Sequence, residues 1–309
     1  MNRRDLRDLG IISLPGDPGY GSRFKELFNS RLYIVHQRIF PDGETYIRLV
    51  EDLQDEKKVL IIQSMFPEQD RRFFEILQIL DILDNYDKEI YLLILYMAYA
   101  RQDKVFLKGE PVSARIIMRY ITQNNRVKKI YVAEPHSDYV SKEFSKIHSI
   151  NLIKIMGEIL RGKGISRRMV VVSPDQGGAE RAKVLSEILD TEYLVFKKYR
   201  DRYTGSIKTE APENIELVKG RETIIVDDIL STGGTVTEVA SFLKRSGSER
   251  IYVLCAHCLF VSDALNKVLS GGVNKIFCGN TVKRFVEDSR VEYFDLSNSI
   301  GSYIAENIL

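Results

Sequence analysis

Apolar residues follow two alternating rhythms along the chain. Residues 58–65 (KVLIIQSM) form a short continuous apolar run, the pattern of a strand buried on both faces. Residues 70–85 come next, with Phe73, Phe74, Leu77, Leu80, Ile82 and Leu83 near the i, i+3, i+4 spacing of one helix face. The same reading predicts a strand over 89–97, a helix over 112–123 and a strand over 128–133. Beyond a basic, glycine-containing link at 161–168 (RGKGISRR) the rhythm restarts. Strands are predicted there over 169–173, 192–196, 222–227 and 250–256, with helices over 178–189 and 237–246. Strands that alternate with helices of about 10–15 residues predict parallel sheets built from βαβ units.

The fold class expected is therefore α/β, with two similar domains, each a mainly parallel sheet flanked by helices. The boundaries expected are 1–155 and 156–296, with an amphipathic helix at 297–309 able to join the first domain. A length of 309 residues fits two domains of about 100–200 residues each. Lys and Arg number 45 against 43 Asp and Glu, a net charge of +2, which argues against a general polyanion binder and against nucleic acid as a partner. The longest uncharged, mainly apolar stretches, 90–100 and 251–262, fall short of the ~20 residues that a membrane-spanning helix needs. The first ten residues, MNRRDLRDLG, are charged and precede no apolar signal core. Three cysteines make no disulfide framework, and Cys278 reads as a buried strand residue. A cytoplasmic protein with reduced cysteines and no membrane partner is expected.

The richest segment is 222–235, ETIIVDDILSTGGT. A buried strand runs into two adjacent carboxylates, Asp227 and Asp228, and then into a Ser-Thr-Gly-Gly-Thr turn that opens a helix. Ligands of open α/β sheets bind at such strand ends. Gly233 and Gly234 let backbone N–H groups converge, Ser231, Thr232 and Thr235 add hydroxyls, and a helix N-terminus favours an anion. Carboxylates suit sugar hydroxyls better than they suit a bare phosphate, so the combination describes a sugar-phosphate socket. No G-x-x-x-x-G-K-[ST] and no G-x-G-x-x-G after a strand occurs, which speaks against a Walker loop and a dinucleotide fold.

Other strand ends carry weaker signals. In 170–181 (VVVSPDQGGAER) Asp175 precedes a glycine pair, which suits either a tight turn or an anion or metal site. Lys197, Lys198, Arg200 and Arg202 form a basic run that leaves the same sheet, either a solvated face or a loop that brings cations to phosphates. Arg101, Gln102, Asp103 and Lys104 follow a predicted strand, and residues 40–44 (FPDGE) occupy a turn. His136 follows another strand; a lone histidine is more often structural than a ligand, and the residues alone leave both readings open. Cys255 and Cys258 imitate a C-x-x-C pair, but strand alternation sends them to opposite faces, which speaks against zinc.

Taken in order, these segments resemble the ribose-phosphate pyrophosphokinases, and the resemblance runs from about Leu14 to the C-terminus. It implies a phosphoribosyltransferase type I-like fold in each half and transfer of a diphosphoryl group from ATP to ribose 5-phosphate, with Mg²⁺ as cofactor. By resemblance, Phe40, Asp42, Gly43 and Glu44, with Arg101 and Gln102, would bind ATP, and His136 and Asp175 would hold the metal. Lys198 and Arg200 would be catalytic. Arg200, Asp227, Asp228, Ser231, Thr232, Gly233, Gly234 and Thr235 would take ribose 5-phosphate. A homo-oligomer, a dimer or a multiple of dimers, is implied because the 40–44 turn comes from a neighbouring subunit in the family. The segment after Lys104, VFLKGEPVSAR, lacks an arginine found in many bacterial and animal members and looks more like the archaeal type. A nucleobase phosphoribosyltransferase would share the 227–235 loop but has no use for the 40–44 and 101–104 elements. A non-catalytic relative would keep the fold without needing Lys198, Arg200, Asp175 and His136, all of which are present.

Overall fold

Continuous apolar runs become the inner strands of two parallel sheets. The computed structural model describes residues 6, 8–164, 169–200, 207–284 and 286–308; the side chains of 199, 200, 207 and 208 lie outside that description. The chain forms two compact units. The first contains β1 (Leu9–Ser13), α1 (Tyr20–Phe28), β2 (Arg31–Ile39), β3 (Thr45–Leu49), β4 (Lys58–Gln63), α2 (Gln69–Leu83), β5 (Glu89–Ile94), α3 (Ser113–Thr122), β6 (Val127–Ala133), α4 (Tyr139–Glu143) and β7 (Ile147–Ile150). The second contains α5 (Leu152–Gly162), β8 (Val170–Ser173), α6 (Ala179–Leu189), β9 (Tyr193–Val195), β10 (Lys197–Arg200), β11 (Ile207–Glu210), β12 (Glu222–Leu230), α7 (Gly234–Arg245), β13 (Arg250–Cys258), α8 (Ala264–Ser270), β14 (Lys275–Gly279) and β15 (Val291–Phe294). Helix α9 (Ser297–Ile308) returns to the first unit and packs on α1.

The first sheet has the order β3-β2-β1-β4-β5-β6-β7 and is parallel except for the β2–β3 hairpin. Its central strands β4 and β5 are buried at every position after the first, which is why they read as unbroken apolar runs. Lys58 Nζ donates to the carbonyl of Ile308 at 3.0 Å, and Lys129 Nζ donates to that of Asn307. Cations at the last turn of α9 thus satisfy carbonyls that the helix itself leaves unpaired.

The second sheet is parallel throughout, in the order β15-β14-β13-β12-β8-β9. From β8 the chain moves outward to β9, then returns to β12 and proceeds the other way through β13, β14 and β15. The carboxyl ends of β8 and β12 therefore flank the point where the strand order reverses, where open α/β sheets bind ligands. Strands β10 and β11 form a separate antiparallel pair with Lys198 opposite Thr209.

Several sequence boundaries shift. The unit boundary lies at Ile150/Asn151 rather than 155/156, because Asn151 caps α5 and its Oδ1 accepts from Lys154 N at 2.7 Å. The 156–296 span also loses Thr281–Lys283 to the first unit. Strand β5 stops at Ile94, so Arg101 follows a buried loop over 95–98 rather than a strand. Strand β12 continues past Asp227 to Leu230, because Ile229 and Leu230 still pair with His257 and Cys258. The cysteines are also corrected. The β13–β14 register sets Cys278 opposite Cys255, but the Cα atoms of Cys258 and Cys278 lie 5.9 Å apart and these two form a disulfide, leaving the buried Cys255 free. Among the described residues, no helix is long and apolar enough to cross a membrane.

Candidate active site

Strand β12 is buried throughout except at its first residue and Asp227, which are partly exposed. Strand alternation accounts for the contrast between the two carboxylates. Asp228 is 3% exposed, and Arg181 on α6 donates from Nη2 to its Oδ2 at 3.3 Å. Ile229 N donates to Asp228 Oδ1 at 2.9 Å. Asp227 Oδ1 accepts from the backbone N–H of Asp228 at 2.9 Å, and the side chain keeps part of its surface open. Loss of water around it pushes the Asp227 carboxyl well above the usual carboxylate range; Asp228 and Asp175 push the same way, and Arg181 pulls against them. Burial and the same two carboxylates of β12 also push up the Cys255 thiol, whose Sγ donates to the carbonyl of Asp228 at 3.3 Å.

After β12 the chain turns through 231–233 into α7. Gly233 precedes the helix at φ 74°, and a β-carbon there would come 2.6 Å from Val268 Cγ2 and 3.1 Å from the carbonyl oxygen of Ala264. Only glycine meets both demands. The first turn of α7 carries no acidic residue, so its N–H groups face the opening with nothing negative beside them on that helix. Lys198 Nζ on β10 donates to Thr235 Oγ1 in that turn. Arg200 ends β10, and its side chain lies outside the described residues, as does Arg202.

Asp175 sits after β8 in extended backbone (φ −160°) and caps the turn 176–178, accepting from Gly178 N at 3.1 Å. Ser173 Oγ donates to the Asp175 carbonyl at 2.7 Å, which fixes the loop. The second unit thus brings together Asp175, Asp227, Asp228 and Arg181, with the ammonium of Lys198 reaching from β10 to the neighbouring first turn of α7. Asp175 and Asp228 both act on Asp227, so this strand end gathers oxygen donors of the kind that a hard divalent cation such as Mg²⁺ takes. Among the described residues, no three or more His, Cys, Asp or Glu side chains gather as a ready-made metal cage. Arg181 was not singled out from the sequence. Its place one turn after a strand-end glycine pair was the available signal.

The first unit holds the remaining residues. Residues 40–44 form the tip of the β2–β3 hairpin, closed by Phe40 N donating to the Glu44 carbonyl at 2.8 Å and by Gly43 at φ 96°. Asp42 Oδ1 accepts from Glu44 N at 3.1 Å, and residues 41–44 are exposed. The guanidinium of Arg38 lies 4.9 Å from the Phe40 ring centroid, which the sequence did not foretell. Gln102 Oε1 accepts from Ser113 Oγ at the start of α3, and the exposed Arg101 precedes it. His136 lies in the loop after β6.

Two α/β units, each an open sheet of the phosphoribosyltransferase type, define the class of protein. Residues 143–286 match the phosphoribosyl transferase domain model, and residues 9–124 match the N-terminal domain of ribose phosphate pyrophosphokinase. Ribose-phosphate pyrophosphokinase of Sulfurisphaera tokodaii is 33% identical over 298 residues, covering 95% of this chain and 99% of the relative. Ribose-phosphate pyrophosphokinase 2 of Archaeoglobus fulgidus is 32% identical over 299 residues, covering 96% and 99%. The crystal structure of phosphoribosylpyrophosphate synthetase from Mycobacterium smegmatis shares the fold, with a TM-score of 0.83 at 20% identity over 97% of this chain and 98% of that one. The chain belongs to the ribose-phosphate pyrophosphokinase family and is an enzyme of that family. Its archaeal relatives agree with the archaeal look of the VFLKGEPVSAR segment.

Proposed function

We propose that the protein transfers the diphosphoryl group of ATP to the 1-hydroxyl of ribose 5-phosphate, giving 5-phosphoribosyl 1-diphosphate (PRPP) and AMP. The observation that carries this reading is the partly exposed Asp227 next to an acid-free helix N-terminus at the reversal point of the second sheet. Residues 231–235 cradle the 5-phosphate, and Asp227 accepts hydrogen bonds from ring hydroxyls, so the sugar enters the reaction already oriented. Asp228 is tied to Arg181 through its side chain, and its backbone N–H donates to Asp227 Oδ1. The sugar O1 then forms a bond to the β-phosphorus while the bond from that phosphorus to the oxygen bridging it to the α-phosphate breaks. The proton of the 1-hydroxyl goes to solvent, and AMP departs with the bridging oxygen. Lys198 and Arg200 stabilise the transferring group and that leaving oxygen, as cations do in other phosphoryl transfers.

Phe40, Asp42, Gly43, Glu44, Arg101 and Gln102 bind ATP in this reading, with Phe40 bordering the base. Mg²⁺ when bound would supply neutralising charge on the β- and γ-phosphates; Asp175 is the ligand that the second unit offers, and His136 is the one that the family resemblance implies from the first. The protein works as a cytoplasmic homo-oligomer, supplies PRPP for nucleotide biosynthesis and uses neither a membrane nor nucleic acid.

A product assay with ATP, ribose 5-phosphate and Mg²⁺ tests the reaction. Equimolar AMP and PRPP are expected. ADP would make the protein an ordinary kinase, and consumption of added PRPP with a nucleobase would make it a phosphoribosyltransferase. Ligand binding without any AMP would leave a non-catalytic relative.

A further inference from the structure

We propose that Lys267, on α8, is a phosphate-binding residue of the 231–235 cradle. The proposal rests on the reading of that cradle as the ribose 5-phosphate site. A β-carbon built on Gly234, the first residue of α7, would lie 3.6 Å from Lys267 Nζ, and, beyond its chain neighbours and the backbone of its own helix, no other atom would come within 4 Å of it. The ammonium therefore stands directly over the opening turn of α7.

That position is unfavourable for a cation on its own. A helix N-terminus carries about half a positive charge, so cations belong at the other end, where α7 does carry Lys244 and Arg245. A second ammonium, that of Lys198, touches Thr235 one residue further on. No carboxylate within ion-pair distance offsets Lys267 among the described residues, and the first turn of α7 has no acid. Asp263, the residue before α8 and one turn earlier, accepts instead from Asn266 Nδ2 at 2.7 Å. The Lys267 ammonium and a bare helix N-terminus repel one another until an anion arrives, and a phosphate dianion relieves both at once.

Nor is the placement that of a loose surface lysine. Helix α8 is fitted to α7 at both ends of their contact. A β-carbon on Gly233 would strike Val268 Cγ2 at 2.6 Å, and one on Gly271 would strike Thr237 Cγ2 at 2.8 Å. Lys267 lies next to Val268 in the chain, so the same contact that demands glycine at 233 sets the lysine over residue 234. The side chain itself is exposed, which leaves its head accessible to a phosphate entering from solvent.

Steady-state kinetics with ATP and ribose 5-phosphate test the assignment. Lys267→Gln should raise the KM for ribose 5-phosphate about tenfold, the loss of one charge-assisted contact, with the effect in that KM rather than in kcat or the KM for ATP. Lys267→Arg should recover most of it. Lys244→Gln makes the same charge change at the far end of α7 and should leave the kinetics unaltered. An unchanged KM in Lys267→Gln, alongside a raised KM in Thr235→Val, would overturn the role of Lys267 and leave the cradle standing. An unchanged KM in both would overturn the cradle reading as well. Native protein gives an independent readout, since ribose 5-phosphate should slow acylation of Lys267, followed by mass spectrometry, and should not slow that of Lys244. Equal labelling of Lys267 with and without the sugar phosphate would refute the contact.

Discussion

Arg181 on α6 and Asp228 on β12 form an ion pair, 3.3 Å between Nη2 and Oδ2, with both side chains largely buried. This pair separates two chemically identical neighbours. Asp228 is tied to the protein, while Asp227 is left to meet solvent and ligand. Adjacent residues on a strand face opposite sides, so a single well-placed guinidinium-type partner on one face suffices to give the two carboxylates different duties.

Removing one partner of a buried pair strands the other charge, which costs about 3–5 kcal/mol. Arg181→Ala is therefore expected to lower unfolding stability on that order. Asp228→Asn should cost less in the Arg181→Ala background than in the native one, because no buried charge is then left alone. Denaturant titration of the two single variants and the double variant gives the coupling. Additive losses would mean that the pair contributes nothing as a pair.

Asp227 carries an electrostatic cost in the folded protein. Its carboxyl holds a proton more tightly in the folded protein than in the unfolded chain, whose aspartates titrate near pH ~3.9. Above about pH 4 the folded state therefore binds more protons than the unfolded one, and stability is lost as pH rises through the raised folded value. Asp227→Asn removes this loss. The difference in Tm between the variant and native protein should grow with pH across that window and level off below about pH 4, measured with a chelator present. A pH-independent difference would contradict the charge argument. The same variant should raise the KM for ribose 5-phosphate, since an amide cannot replace both acceptor oxygens.

Lys198 contacts Thr235 in the cradle, yet its proposed duty is at the transferring group. Lys198→Ala should lower kcat by about 10²–10³-fold, while ribose 5-phosphate binding followed by calorimetry changes little. The opposite split, with weakened sugar phosphate binding and normal turnover, would make Lys198 part of the phosphate cradle alone.

The βαβ rhythm was legible wherever strands are buried on both faces, as at β4 and β5, because such strands must be apolar at nearly every position. The hairpin β2–β3 was not, since its residues alternate among exposed and half-buried positions and mix charges with apolar side chains. Helix α5 was read partly as a linker because its last turn, Arg161 and Gly162, resembles the basic residues that follow it. At the site, the carboxylates and the glycine turn could be read because they are contiguous in sequence. The Arg181–Asp228 pair spans 47 positions, and the Cys258–Cys278 bond joins two strands whose adjacency spacing does not encode. Long-range partners of this kind are fixed by sheet order, which only the fold supplies.

Gly233 ties the cradle to the packing of two helices, and it offers the sharpest separation of strain from collision. An alanine there meets a left-handed backbone (φ 74°) and a collision with Val268 Cγ2 at 2.6 Å. Strain of this type costs about 1–3 kcal/mol, and relieving the collision requires α8 to move off the start of α7. Gly233→Ala should therefore lower stability by roughly that amount and raise the KM for ribose 5-phosphate, as the N–H groups of the turn lose their alignment. Adding Val268→Ala removes the collision while leaving the backbone strain and the nearby Ala264 carbonyl at 3.1 Å. The double variant should then regain part of the sugar phosphate affinity without regaining full stability, because Val268 is itself a core residue. Thermal unfolding and the KM, measured on native protein, the two single variants and the double variant, distinguish the cases. Recovery of neither would place the whole effect in the backbone angle, and an unchanged KM in Gly233→Ala would detach this turn from substrate binding.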